Sequence, residues 1–182
     1  MSAENTAAAE VCAITGQFPE PAHKQLRYLI TGGPTVEDLD AVRFISNRST
    51  GRTGVILAEE AASRGHQVLL VMGPSSEVEP ENSEIVRVRS AREMLAATQA
   101  GFEWCDVLIM SAAVSDYRPA ERLSGKMHKG DEDLVIRLVR NPDILITLAP
   151  LRVDQVVAGF SLDTMVDVDA ALAKRERKGM DI

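Results

Sequence analysis

The chain has 182 residues, 45% hydrophobic and 4% aromatic, which suits one domain with an aliphatic core and would be cramped for two. Its 20 basic residues stand against 27 acidic ones, a net charge of −7 with no block of like charge, which argues against nucleic acid or an anionic membrane as the main partner. Cys12 and Cys105 lie far apart with no CxxC or Cys/His spacing, so neither a disulfide framework nor a zinc site is indicated.

Residues 1–24 carry Ala, Glu and Pro without periodicity and read as a flexible leader, with no basic n-region or apolar h-region. No later segment is apolar enough to cross a bilayer, and the expected location is cytoplasmic. From residue 25 a βα alternation sets in. Leu26–Ile30 is an apolar run that reads as a buried strand. Gly54–Arg64 follows with helical spacing, its inner stripe formed by Val55, Leu57, Ala58, Ala61 and Ala62, and Gly65 is placed to end it. Gln67–Met72 is the next strand. Ser90 then caps a helix over Ala91–Gln99, with Glu93 as its capping-box partner. Val107–Met110 is a third strand, preceded by Cys105, which reads as a buried thiol. Leu134–Leu138 alternates like a strand, Asn141-Pro142-Asp143 punctuates, and Ile144–Ala149 makes a short helix. Val156–Phe160 is another strand, and Val168–Lys178 is a helix closed by Gly179. Met180-Asp181-Ile182 looks like the start of a further buried strand, so a C-terminal part of the protein is expected beyond it. Strands and helices alternating at this spacing predict a Rossmann-like three-layer α/β sandwich with a mostly parallel sheet.

Ligands of such a sheet sit at the carboxyl ends of its strands, where three loops fall. Gly32, Gly33, Pro34 and Thr35 follow the first strand. A Gly-Gly-Pro turn needs no ligand by itself, but a second polar cluster, Ser46-Asn47-Arg48-Ser49-Thr50-Gly51, stands just before the first helix. Amides at a helix start, joined by hydroxyls and a close-approaching Gly, form an anion site. Arg43, Arg48, Ser49 and Arg52 add donors with nothing obvious to hold except an anion. After the third strand, Ser111, Ala112 and Ala113 are small enough for a base or ribose to approach the backbone. Asp116 can accept from ribose hydroxyls, from a cytosine amino group or from a magnesium-bound water. Lys126-Met127-His128-Lys129 lies in a polar, Gly-containing stretch that reads as a basic loop closing over a triphosphate. His128 has no paired His or carboxylate at ligand spacing, and the metal ligands stay unassigned.

In this order the segments Ile30–Thr35, Asp40–Gly54, Ser111–Pro119, Lys126…Lys129, Asn141–Leu145 and Gly159-Phe160 ahead of Asp163-Thr164 resemble phosphopantothenoylcysteine synthetase. That family is the coenzyme A biosynthetic ligase often fused behind a decarboxylase. The resemblance covers residues 26–182. It implies 4′-phosphopantothenate, L-cysteine and CTP as substrates, with Mg²⁺, and a homodimer that shares its Asn-bearing loop across the two-fold axis. It places Asn47 on the acyl-nucleotide intermediate and makes Lys126 the catalytic loop lysine. The nucleotide falls to Gly32, Gly33, Pro34, Thr35, Ser111, Ala112, Ala113, Asp116, Lys129 and Phe160. The acid substrate falls to Arg43, Ser46, Arg48, Ser49 and Gly51. The leader is too short for the decarboxylase domain, which is expected on a separate chain. Two features depart from the family: His128 stands where a third Lys is common, and Gly159–Thr164 replaces the usual Gly-Phe-Ala-Ala-Glu-Thr.

Two other readings compete. A short-chain NAD(P)-dependent reductase would need GxGxxG after the first strand and Lys four residues after Tyr117, where Glu121 stands. A non-catalytic nucleotide-binding module would bind nucleotide without releasing pyrophosphate.

Overall fold

The computed structural model describes residues 24–129, 133–162 and 167–182; the leader 1–23, with Cys12, and the Asp163-Thr164 part of the last motif lie outside them. Strand β1, Arg27–Gly32, is central. Its alternation puts Leu29 on one face of the sheet and Ile30 on the other, both with no exposed surface. Full burial of such a side chain contributes about 2 kcal/mol. β4 (Gln67–Met72) and β6 (Val107–Met110) flank it in parallel, in registers Leu29–Leu69 and Leu29–Leu108. β5 (Glu84–Arg87) and β9 (Val156–Gly159) complete a five-stranded parallel sheet of order β5-β4-β1-β6-β9.

Helices cover both faces. α1 (Arg52–Ser63) packs Val55, Ala58 and Ala61 onto Ile30, Val68 and Leu70, while Leu57 and Ala62 sit at the margin of that cluster. α1 ends as its sequence predicts, with Gly65 at φ +81°. On the other face α2 (Ala91–Phe102) and α3 (Ile144–Leu148) enclose Leu29, Val71, Met94, Cys105, Leu108 and Val157. The Ser90 hydroxyl accepts from the Glu93 amide, and the Glu93 carboxylate returns to the Arg89 amide rather than to that of Ser90. α4 (Val168–Lys178) is capped by Asp167 and closed by Gly179 at φ +67°, as its ends predict. Among the described residues no helix is long and apolar enough to cross a membrane.

Several expectations need correction. Leu134–Leu138 is not a strand: only Leu138 enters β8 (Leu138–Arg140), which pairs antiparallel with β7 (Tyr117–Pro119). Leu134 and Val135 are exposed, because alternation without a partner strand supplies no hydrogen bonds. The short helix stops at Leu148 and tightens into a 3₁₀ turn over Ala149–Leu151, which contains Pro150. β9 ends at Gly159, one residue before Phe160. Met180–Ile182 does run beside β9, since Asp181 N donates to Val157 O and Ile182 O accepts from Gly159 N. Met180 packs against the core cluster on that face, whereas Asp181 and Ile182 are exposed. A hairpin of β2 (Val36–Asp38) and β3 (Phe44–Ser46), for which the sequence analysis has no element, stands between the Gly32–Thr35 turn and the polar cluster that begins at Ser46.

Candidate functional site

The chain leaves β1 toward β4 and β5 on one side, then returns to β6 and β9 on the other. The order therefore reverses between β1 and β6, and the loops after both strands meet at that point. Past their ends the two strands stay joined: Ala113 N donates to Gly33 O at 2.9 Å and Thr35 N to Ala113 O at 3.2 Å.

Glycines let α1 start directly against this junction. A Cβ on Gly54 would lie 2.7 Å from the Gly32 Cα, so no larger residue fits between helix and strand. Gly33 and Gly51 hold φ values of +79° and +89°, which only Gly adopts without cost. Gly73, after β4, approaches so closely that a Cβ there would overlap the Pro34 carbonyl oxygen. Gly51 caps α1 without a side chain, and the helix has no acidic residue in its first turn. Arg52 N is taken by the Thr50 hydroxyl at 3.2 Å, and the following first-turn amides and the positive dipole end face the glycine loop, an arrangement that attracts phosphate or carboxylate.

The predicted site residues divide into two groups. Ser46 and Ser111 spend their hydroxyl donors on the scaffold, and Thr35 is fully buried in it. The Thr35 hydroxyl accepts from Ser115 N, Ser46 Oγ donates to Thr35 O, and Ser111 Oγ donates to Thr31 O. Arg43 was expected to have nothing but an anion to hold. It binds the Asp40 carboxylate and donates from Nη2 to the Met127 carbonyl, so that premise is wrong. Pro34 bridges to Ala113, and Ala112 and Ala113 line the junction half-buried. The second group is open: Arg48, Asp116, Lys126, Lys129 and Phe160 are exposed, and among the described residues none of the four charged ones forms an ion pair. Gly51 is buried against Met72, and Ser49 is half-buried.

Asn47 reaches back across the site. Its Nδ2 donates to the carbonyl oxygens of Ala113 and Val114, both at 3.1 Å. Both amide hydrogens are therefore used within one chain, and the free polar atom is the acceptor Oδ1. Asn47 thus leaves its acceptor, rather than its amide donors, for a ligand.

Sequence reasoning passed over three residues that build this site. Asp40 is buried, and hydrogen bonds from the Met127 amide, then from Arg43, hold its carboxyl well below the usual carboxylate range. Glu37, also buried, accepts from Ala91 N at the start of α2 and from Asn141 Nδ2. Asn141 in turn donates to Ser115 O, which ties the loop after β6 to β2. The one available signal was the Asp40–Arg43 spacing, an acid and a base three residues apart in a turn. A cleft of about 500 Å³ at the opposite end of the sheet is lined by Arg27 and Asp106, but these two neutralise each other.

The fold and its loops define a doubly wound, Rossmann-like α/β domain with an anion-ready junction at its switch point. The chain belongs to the family described as DNA/pantothenate metabolism flavoprotein C-terminal domain, which matches residues 23–182. It is 42% identical over 164 residues to the coenzyme A biosynthesis bifunctional protein CoaBC of Escherichia coli K12, covering 87% of this chain and 40% of that protein. It is 40% identical over 159 residues to a cysteine/cysteine sulfinic acid decarboxylase of an unknown prokaryote, covering 86% and 44%. The chain thus spans about two fifths of the length of the curated relatives it matches. Among solved structures, the crystal structure of the C-terminal domain of CoaBC superposes with a TM-score of 0.76 at 38% identity, over 86% of this chain and 74% of that one.

Proposed function

We propose that this chain is a phosphopantothenate–cysteine ligase of coenzyme A biosynthesis. A carboxylate is a poor acyl donor. In this reading the carboxylate oxygen of 4′-phosphopantothenate attacks the α-phosphorus of CTP, the bond to the β-phosphate breaks, and pyrophosphate leaves. The amine of L-cysteine then attacks the acyl carbon, the amide forms, a proton is lost and CMP departs.

The observation that carries the reading is the meeting of Asn47 with the Ala113–Val114 backbone beside the glycine-capped start of α1. There the glycine loop and the first-turn amides hold phosphates, and Asn47 Oδ1 accepts from the incoming amine. Lys126 offsets charge on the reacting phosphates. Arg48 and Lys129 add positive charge at the rim, and the exposed ring of Phe160 offers the base a stacking face. Mg²⁺ bound with the triphosphate would neutralise phosphate charge. Among the described residues no cluster of three metal-ligating side chains occurs, and Mg²⁺ needs only one or two carboxylates besides phosphates; Asp116 is the exposed carboxylate at hand.

Three further parts complete the proposal: a homodimer, a decarboxylase on a separate chain and a cytoplasmic location. The dimer is supported by apolar side chains exposed on the two ribbons, Val42, Phe44, Tyr117 and Leu138. The similarity to the C-terminal domain of CoaBC supports the ligase over the decarboxylase named for another relative.

The test is pyrophosphate release with each of the four nucleoside triphosphates, with and without 4′-phosphopantothenate and cysteine. Release that needs the acid and is fastest with CTP is expected. A preference for ATP or GTP sinks the cytidine assignment. Nucleotide binding without any pyrophosphate leaves only a binding module.

A further inference from the structure

One buried carboxylate joins the segment that carries Asn47 to the segment that carries Lys126. Asp40 divides its two oxygens. Oδ1 serves its own turn, accepting from Val42 N and Arg43 N at 2.7 Å each. Oδ2 serves the basic loop, accepting from Met127 N at 3.0 Å and from Arg43 Nε at 3.0 Å. The same Arg43 donates from Nη2 to Met127 O at 2.7 Å, so both backbone polar groups of the residue after Lys126 are held by a single ion pair. Leu123 N donates to Leu39 O and adds a second tie between the same two segments.

Among the described residues little else fixes that loop beyond the Arg122–Asp38 ion pair just before it. Leu123, Ser124, Gly125, Lys126, His128 and Lys129 are exposed, and only Met127 is half-buried. A segment without buried apolar surface has no packing energy to set its position, so hydrogen bonds to a buried charge must do so. The core clusters of the sheet include neither Asp40 nor Arg43.

We propose that Asp40 is a positioning residue that acts through Arg43 and Met127 to hold Lys126 toward the reacting phosphates. Arg43 is then a strut and not a substrate ligand. The inference rests on the role given to Lys126 above. Oδ1 and Oδ2 have separate tasks, which makes Asp40→Asn a selective cut: one oxygen is kept for the turn, and an NH₂ replaces the acceptor that faced Met127 N and the guanidinium.

The experiment pairs hydrogen exchange with kinetics on the purified chain. In Asp40→Asn, amide exchange across residues 123–129 should rise about tenfold or more, while peptides from β1, β4 and β6 keep their protection. kcat for pyrophosphate release should fall by roughly ten- to a hundredfold, the scale of a catalytic group displaced by about 1 Å, with KM for CTP and for 4′-phosphopantothenate within about twofold. Arg43→Lys keeps the charge but loses the fork and should give the same pattern more weakly. Unchanged exchange over 123–129 overturns the proposal, as does an unchanged kcat. A higher KM for 4′-phosphopantothenate at constant kcat in Arg43→Lys also overturns it, by returning Arg43 to the substrate. If Asp40→Asn loses protection throughout, Arg43→Lys decides by the same criteria. A wild-type chain that releases no pyrophosphate sinks the ligase reading and this catalytic purpose with it, while exchange over 123–129 separately reports whether Asp40 holds the loop.

Discussion

Asn47 donates its side-chain amide to the Ala113 carbonyl at 3.1 Å, which fastens the segment before α1 to the loop after β6. The two segments are 66 residues apart in sequence, and together they frame the start of α1. Asn47→Asp replaces that donor with a carboxylate facing two carbonyl oxygens, Ala113 and Val114. It also adds charge beside an anionic acyl-nucleotide. Cysteine-dependent turnover should therefore fall far more than acyl-nucleotide formation, and quenched single-turnover assays with labelled CTP should find the intermediate accumulating.

Lys126→Gln should fail earlier. Removing a preorganised cation typically costs on the order of a hundredfold in rate, and here the loss falls on the first step. No acyl-nucleotide should accumulate and pyrophosphate release should nearly vanish in the same quenched assay. If Asn47→Asp also stops before pyrophosphate appears, the division of labour between the two residues is wrong.

Two glycine substitutions should separate packing from backbone strain. Gly54→Ala places a methyl 2.7 Å from the Gly32 Cα and must push α1 off β1. We expect a loss of about 1–3 kcal/mol, the usual range for overpacking, together with weaker nucleotide binding. Gly65→Ala meets no atom within 4 Å and carries only the strain of φ +81°. It should cost about 1 kcal/mol and leave nucleotide affinity unchanged. Urea midpoints and nucleotide titrations on both variants check this.

Asp106 gives the acid limb of stability a defined origin. Hydrogen bonds from the Arg27 side chain, then from the Arg27 amide, lower its carboxyl to about 2. The unfolded chain has a value of about 3.9, so the folded state binds fewer protons between these limits. The contribution is complete above about pH 5 and is lost as pH falls toward about 2. Urea midpoints of the wild type should drop through that window, and Asp106→Asn should drop less steeply; equal slopes would refute the assignment.

Cys105 is 3% exposed, and burial pushes its thiol up to about 11. At pH 8 about a thousandth is thiolate, and a reagent cannot reach even that without opening the core. In a Cys12→Ser chain, Cys105 should react with an aromatic disulfide only as fast as the domain unfolds, and urea above the midpoint should release it. Fast reaction of the native chain would contradict the burial.

The strands and helices that were legible in the sequence owe this to local periodicity. Gln67–Met72, Val107–Met110 and Val168–Lys178 have the predicted bounds, because apolar runs, helical spacing and Gly179 mark them within the segment itself. The β2–β3 hairpin and β8 were not legible. Val36, Phe44, Ile45 and Val139 favour strands, but a run of three residues is too short to mark one, and it exists only once a partner supplies its hydrogen bonds.

The candidate site shows the same division. The sequence by itself determined where the glycines, Asn47, Lys126 and the small residues after β6 fall in the chain, since each is a residue type that its loop requires. It could not decide which polar groups remain free for a ligand. Arg43, Ser46 and Ser111 offer donors on paper just as Arg48 and Lys129 do, and only the folded chain spends those of the first three on Asp40 and on backbone carbonyls and buries Thr35. Hydrogen-bond capacity is a property of a residue, whereas its availability depends on which distant segments the tertiary structure brings within about 3 Å.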